Sequence, residues 1–171
     1  DLALLANRLP DREQRIEEFF FKVAAAMPAR RFLLGGNGWG DKPMPSNVVY
    51  LGHVKTDLHN TFNSSALAVL NVARDSMAQA GFSPATRVFE AAGAAACVIT
   101  DAWEGIELFL EPGREVLVAT SGDDVIHLLE ALTPAHARAI GSAARRRVLL
   151  AHTYEERARE VHAAHEGVDP L

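Results

Sequence analysis

Leu2-Ala3-Leu4-Leu5-Ala6, running into Asn7-Arg8-Leu9-Pro10-Asp11-Arg12, is the stretch on which the fold turns. Five consecutive apolar residues have no polar face. A strand over Leu2–Ala6 must therefore be covered on both sides, as strands of parallel sheets are. Pro10 then suits the first turn of a helix, with its fixed φ and missing N–H. Acidic residues follow early, and an apolar stripe at Ile16, Phe19, Phe20 and Val23 keeps helical spacing until Pro28 stops it.

The same alternation repeats along the chain. Short apolar runs at Arg31–Leu34, Asn47–Leu51, Ala66–Asn71, Ala96–Thr100 and Glu115–Ala119 read as five more strands. Helices are expected from Thr56-Asp57 through Asn63, over Thr86–Ala92, as a turn over Gly105–Leu110, and over Asp123–Leu132, Pro134–Leu150 and Tyr154–His165. Val72–Pro84 reads as polar and irregular. Strands alternating with helices imply βαβ units and one parallel sheet, covered on both faces, with right-handed crossovers. Ligands of such sheets sit beyond the carboxyl ends of the strands, where the strand order switches.

The 171 residues suit one domain over 1–171. The chain lacks an initiator Met and opens inside an apolar run, so a longer parent protein is expected. A net charge of −5 argues against a general nucleic-acid binder. No apolar run approaches the roughly 20 residues that span a bilayer, so no integral membrane contact is expected. Cys97 is the only cysteine; it reads as a buried small hydrophobe, and a reducing, cytoplasmic setting follows. Arginine far outnumbers lysine (only Lys22, Lys42 and Lys55), and alanine is common, which fits a bacterial source rich in G and C. The seven histidines form no zinc pattern.

Four segments carry chemistry. Gly35–Gly40 follows the second strand, not the first, and leads to Pro43 and Pro45 rather than a helix, so it is no dinucleotide fingerprint. Gly36 is expected in a loop that lets backbone approach a ligand. Arg8 and Arg12 flank a helix start, where guanidinium groups and free N–H groups suit a diphosphate; ordinary pairing with Asp11 or Glu13 is the alternative. In Ser83-Pro84-Ala85-Thr86-Arg87-Val88-Phe89-Glu90, Ser83 or Thr86 can cap a helix. Arg87 sits in its first turn, where an anionic ligand would offset the unfavourable dipole. Glu90, on an otherwise apolar helix, suits a ligand's hydroxyls or an i,i+3 pair with Arg87. Asp101, Glu104 and Glu107 could form an acid cluster but read more simply as a solvated loop.

Taken in order, Ser83-Pro84-Ala85-Thr86-Arg87-Val88-Phe89-Glu90-Ala91-Ala92-Gly93, Ile99-Thr100-Asp101 and Glu111-Pro112-Gly113-Arg114-Glu115 give the chain a familiar look. It resembles the C-terminal domain of GT-B-fold glycosyltransferases, most closely the CgeB-related group. The resemblance implies a Rossmann-like α/β domain that holds a nucleotide-diphosphate sugar, with the acceptor on a separate N-terminal domain absent from this chain. Arg8 matches the arginine contacting the donor phosphates, Arg12 lies near a second basic position, and Glu90 matches the glutamate that binds the donor ribose. Retaining members carry another glutamate eight positions earlier; here that position is Phe82. The resemblance implies no metal and no separate cofactor. A non-catalytic nucleotide- or partner-binding module and a sugar-nucleotide epimerase are the alternative readings on such a fold.

Overall fold

The computed structural model describes residues 1–166. In chain order the elements are β1 (Leu2–Leu5), α1 (Pro10–Ile16), α2 (Lys22–Ala26), β2 (Phe32–Gly35), β3 (Val48–Gly52), α3 (His59–Asn63), β4 (Ala68–Asn71), α4 (Asp75–Ala80), α5 (Thr86–Gly93), β5 (Val98–Asp101), β6 (Leu117–Ala119), α6 (Gly122–Ala131), α7 (Pro134–Ala151) and α8 (Tyr154–Glu166). All strands are parallel, in the order β3-β2-β1-β4-β5-β6. This is the doubly wound, Rossmann-like arrangement, with β1 and β4 adjacent at the switch.

β1 and β4 lie mid-sheet and every residue in them is buried. Leu4 stands beside Leu34 on one side and Leu70 on the other. Strand side chains alternate between faces. Leu2 and Leu4 accordingly join Ile16, Phe20, Leu34 and Val125 in one core, while Ala3 and Leu5 meet Phe62 on the opposite side. Further along that side Val69, Val88, Val98, Ala144 and Val148 form a second cluster under α5 and α7. β3 is one edge of the sheet, and its Val49 and Leu51 are exposed.

Three elements differ from the sequence expectation. The helix expected from Pro10 to Pro28 is interrupted by a π turn at Glu17–Phe21. The wider turn lets three consecutive phenylalanines, Phe19, Phe20 and Phe21, all turn inward, where Phe20 packs edge-on to Phe32 and Phe21 to Trp39. The segment expected to be irregular holds α4, a helix with no buried residue and hence no apolar stripe to betray it. The expected cap of α5 by Ser83 or Thr86 is also corrected. Its N-cap is Ala85, which has no side-chain acceptor to offer. Among the described residues no helix is long and apolar enough to cross a membrane.

Candidate functional site

At the β1–β4 switch, beyond the carboxyl ends of the strands, lies a cavity of about 510 Å³. Arg12, Arg74 and Arg87 line it, together with His53 and His59; no carboxylate does, among the described residues. Each arginine stands at a helix start. Arg12 is in the first turn of α1, Arg74 is the N-cap of α4 and Arg87 is in the first turn of α5. None of these three helices has a side-chain cap, whereas α6 and α7, away from the cavity, are capped by Ser121 and Thr133. Guanidinium ions and the uncapped starts of α4 and α5 therefore meet at one space, whereas α1 opens on Pro10, which has no N–H, and the Arg12 N–H is already bonded to the Leu9 carbonyl.

The charges are only partly compensated: of the three, Arg87 alone has an ion-pair partner, Glu90, among the described residues. Burial, and then the Arg74 and Arg87 charges, depress the pKa of the Arg12 guanidinium, against a smaller opposing pull from Asp11 and Asp101. Arg12 Nη2 donates to the Asn7 carbonyl at 2.7 Å, but its Nε is buried with no partner. Five buried side-chain N or O atoms lack a hydrogen bond among the described residues. Three of them, Arg12 Nε, His59 Nδ1 and Arg87 Nη1, belong to residues lining this cavity. Two of these atoms, His59 Nδ1 and Arg87 Nη1, stand 3.4 and 3.3 Å from Glu90 Oε2, near enough to feel its charge but without hydrogen-bond geometry. Buried donors left without a hydrogen bond cost about 1–3 kcal/mol each, so an acceptor-rich, anionic guest is the natural complement.

The walls are fixed from below. Asp101, fully buried at the end of β5, accepts from the Ala73 N–H at 3.0 Å and from Arg15 Nη2 at 2.6 Å. Burial raises its pKa in spite of Arg15. It is therefore an anchor for the residue next to Arg74, and the solvated-loop reading of Asp101 is corrected. Gly36 sits at φ +121°, and a Cβ there would lie 2.1 Å from the Ala6 carbonyl oxygen. What it approaches closely is the Ala6–Asn7 peptide just beyond β1, so the demand for glycine comes from the protein backbone. Trp39, fully buried, donates to the same Ala6 carbonyl at 2.8 Å, and Asn7 Oδ1 accepts from the Asn37 N–H.

Of the residues singled out in the sequence, Arg12, Gly36, Thr86 and Arg87 line the cavity, and Arg8, Ser83 and Glu90 do not. Arg8 reaches Glu13 at 2.7 Å and Asp41 at 3.1 Å and lies over the Trp39 ring, the ordinary pairing weighed above. Glu90 Oε2 stands 3.3 Å from Arg87 Nη1, so the i,i+3 pair is present, and 3.4 Å from His59 Nδ1. Arg74, His53 and His59 were not singled out in the sequence, although His53 and Arg74 fall in the loops 53–57 and 71–87, which follow strand ends where ligands of such sheets sit. Arg74 was hidden by the missed helix, and the histidines by their distance along the chain from the other lining residues. Among the described residues no group of three or more His, Cys, Asp or Glu side chains is placed to hold a metal ion.

A family model described as glycosyl transferase-like matches residues 12–163. No curated protein sequence matches the chain significantly. Several solved structures are similar. A mutant of T4 phage BGT in complex with UDP-glucose is 16% identical with a TM-score of 0.74, over 99% of this chain and 48% of that one. HepE of Anabaena in complex with UDP-glucose is 13% identical with a TM-score of 0.69, over 98% and 48%. TarM is 15% identical with a TM-score of 0.70, over 94% and 34%. At these identities the likeness is one of fold, and the chain spans from about a third to a half of those structures.

Proposed function

Because the chain belongs to the glycosyl transferase-like family, we propose that its cavity binds a nucleotide-diphosphate sugar and that the chain is the C-terminal, donor-binding domain of a GT-B transferase, joined to an acceptor-binding domain upstream. The observation that carries this reading is the cavity at the strand-order switch, lined by three arginines and no carboxylate among the described residues. The UDP-glucose complexes of similar fold support it. A cytoplasmic bacterial setting completes the proposal.

In this reading Arg12, Arg74 and Arg87 hold the diphosphate with the free N–H groups of α4 and α5. As the bond from sugar to phosphate breaks, negative charge grows on the leaving diphosphate. Fixed cations at that place stabilise the transition state more than the ground state. The positive charge comes from side chains, and the proposal includes no metal and no separate cofactor. Gly36 forms part of the cavity wall, and Ser83 and Thr86 flank the start of α5. Glu90 takes the ribose hydroxyls, and Arg8 joins the phosphates only by leaving Glu13 and Asp41.

A thermal-shift panel of nucleosides, nucleoside diphosphates and their sugars tests this. A ligand at a hundred times its Kd stabilises the fold by about 2.7 kcal/mol. At least one nucleotide sugar should raise Tm. A panel with no shift at millimolar ligand contradicts the proposal.

A further inference from the structure

The lining is not uniform. Arg12 and Arg74 follow β1 and β4, whereas the segment after β3 contributes His53, Val54, Thr56 and His59, with no arginine among them. One part suits phosphate, and the other lacks the fixed charge for it.

His59 opens α3 and stands beside Glu90 of α5. Its side chain is 18% exposed, and its buried Nδ1 faces Glu90 Oε2 at 3.4 Å. The same carboxylate oxygen lies 3.3 Å from Arg87 Nη1. A carboxylate beside Nδ1 favours the tautomer with its proton on that nitrogen and leaves a lone pair on Nε2. That nitrogen is the polar edge His59 has left for the cavity it lines. An acceptor is of no use to phosphate oxygens, which accept themselves. It suits a hydroxyl or a ring N–H.

We propose that His59 is a specificity-determining residue of the donor site: Glu90 fixes its ring, and Nε2 accepts a hydrogen bond from the nucleoside part of the donor, a sugar hydroxyl or a base N–H. The inference rests on the donor-binding reading above. It gives Glu90 a second task, to orient a neighbour as well as to meet the ribose. It also assigns nucleoside recognition to the β3–α3 segment and leaves the phosphates to the arginines.

Calorimetry with UDP, GDP, ADP and inorganic pyrophosphate tests it. The intact protein should bind at least one of the nucleotides more tightly than pyrophosphate, and that nucleotide is the probe. His59→Asn keeps a donor near the Nδ1 position but offers nothing at Nε2. It should weaken nucleotide binding about five- to tenfold, the worth of one neutral hydrogen bond, and leave pyrophosphate within about twofold. His59→Gln, which reaches the Nε2 position, should recover part of the loss. Repeating the pair with the 2′,3′-dideoxynucleotide separates the sources. An effect that vanishes assigns the hydroxyl, and one that persists assigns the base. Unchanged nucleotide affinity in His59→Asn overturns the proposal, as does a parallel loss for pyrophosphate. If the unaltered protein fails to prefer any nucleotide over pyrophosphate, the donor reading itself falls, and the inference with it.

Discussion

Replacing Arg12 by methionine separates what this residue does for the fold from what it does for a ligand. Its pKa is lowered by burial and by two neighbouring arginines. A cation whose folded pKa is depressed is less favourable in the folded chain than in the unfolded one, and at neutral pH it is charged in both. Its charge is thus a standing cost to the fold. Against that stands the Nη2 contact to the Asn7 carbonyl, worth about 1 kcal/mol net. Methionine keeps most of the apolar stem. The two effects oppose each other, and stability should change by less than about 1 kcal/mol. Binding has no such offset. Loss of one charge-assisted contact to phosphate costs about 1.5–3 kcal/mol, about 10- to 150-fold in Kd. Urea melts and calorimetry with a nucleoside diphosphate measure the two quantities. A variant that melts early but binds normally would refute the reasoning, because Arg12 would then be a structural residue.

Arg8→Ala should weaken diphosphate binding less than Arg12→Met, since Arg8 begins engaged with Glu13 and Asp41; parallel calorimetry ranks them. Gly36→Ala should cost at least about 2 kcal/mol in urea melts, because a positive φ and a 2.1 Å approach to Ala6 must both be relieved. Burial pushes the Cys97 thiol up to about 12. The folded chain then keeps its proton after the unfolded chain has lost it, so stability should fall as pH rises past the ordinary thiol value of 9.0. Cys97→Ala should flatten that part of a stability-versus-pH curve, and a thiol reagent at pH 8 should label Cys97 only on unfolding.

The sheet was legible because β1, β4 and β5 are buried on both faces, so β1 is wholly apolar and β4 and β5 open on apolar residues, with the polar Asn71, Thr100 and Asp101 confined to their carboxyl ends. Element ends were less so: β5 closes on Asp101, a residue whose type says loop and whose partners, Ala73 and Arg15, say core. α4 left no trace because none of its residues is fully buried and, of its apolar residues, only Met77 and Ala78 are partly covered, too few to make a stripe, and with it went Arg74. Arg12 and Arg87 were visible as arginines at helix starts. Their convergence with His59 was not, because it depends on which strands are neighbours. Nor could spacing reveal that Arg8 would be taken up by Asp41, 33 residues away.

The central claim is that the cavity at the β1–β4 switch is built for the diphosphate of a nucleotide. Calorimetric titration of the protein with one nucleoside diphosphate and with its parent nucleoside, each at low and at high salt, tests it most directly. The diphosphate should bind at least about a hundredfold more tightly, as two charge-assisted contacts require, and its advantage should shrink as salt screens the arginines. Equal affinity for nucleoside and diphosphate at both salt concentrations would contradict the account.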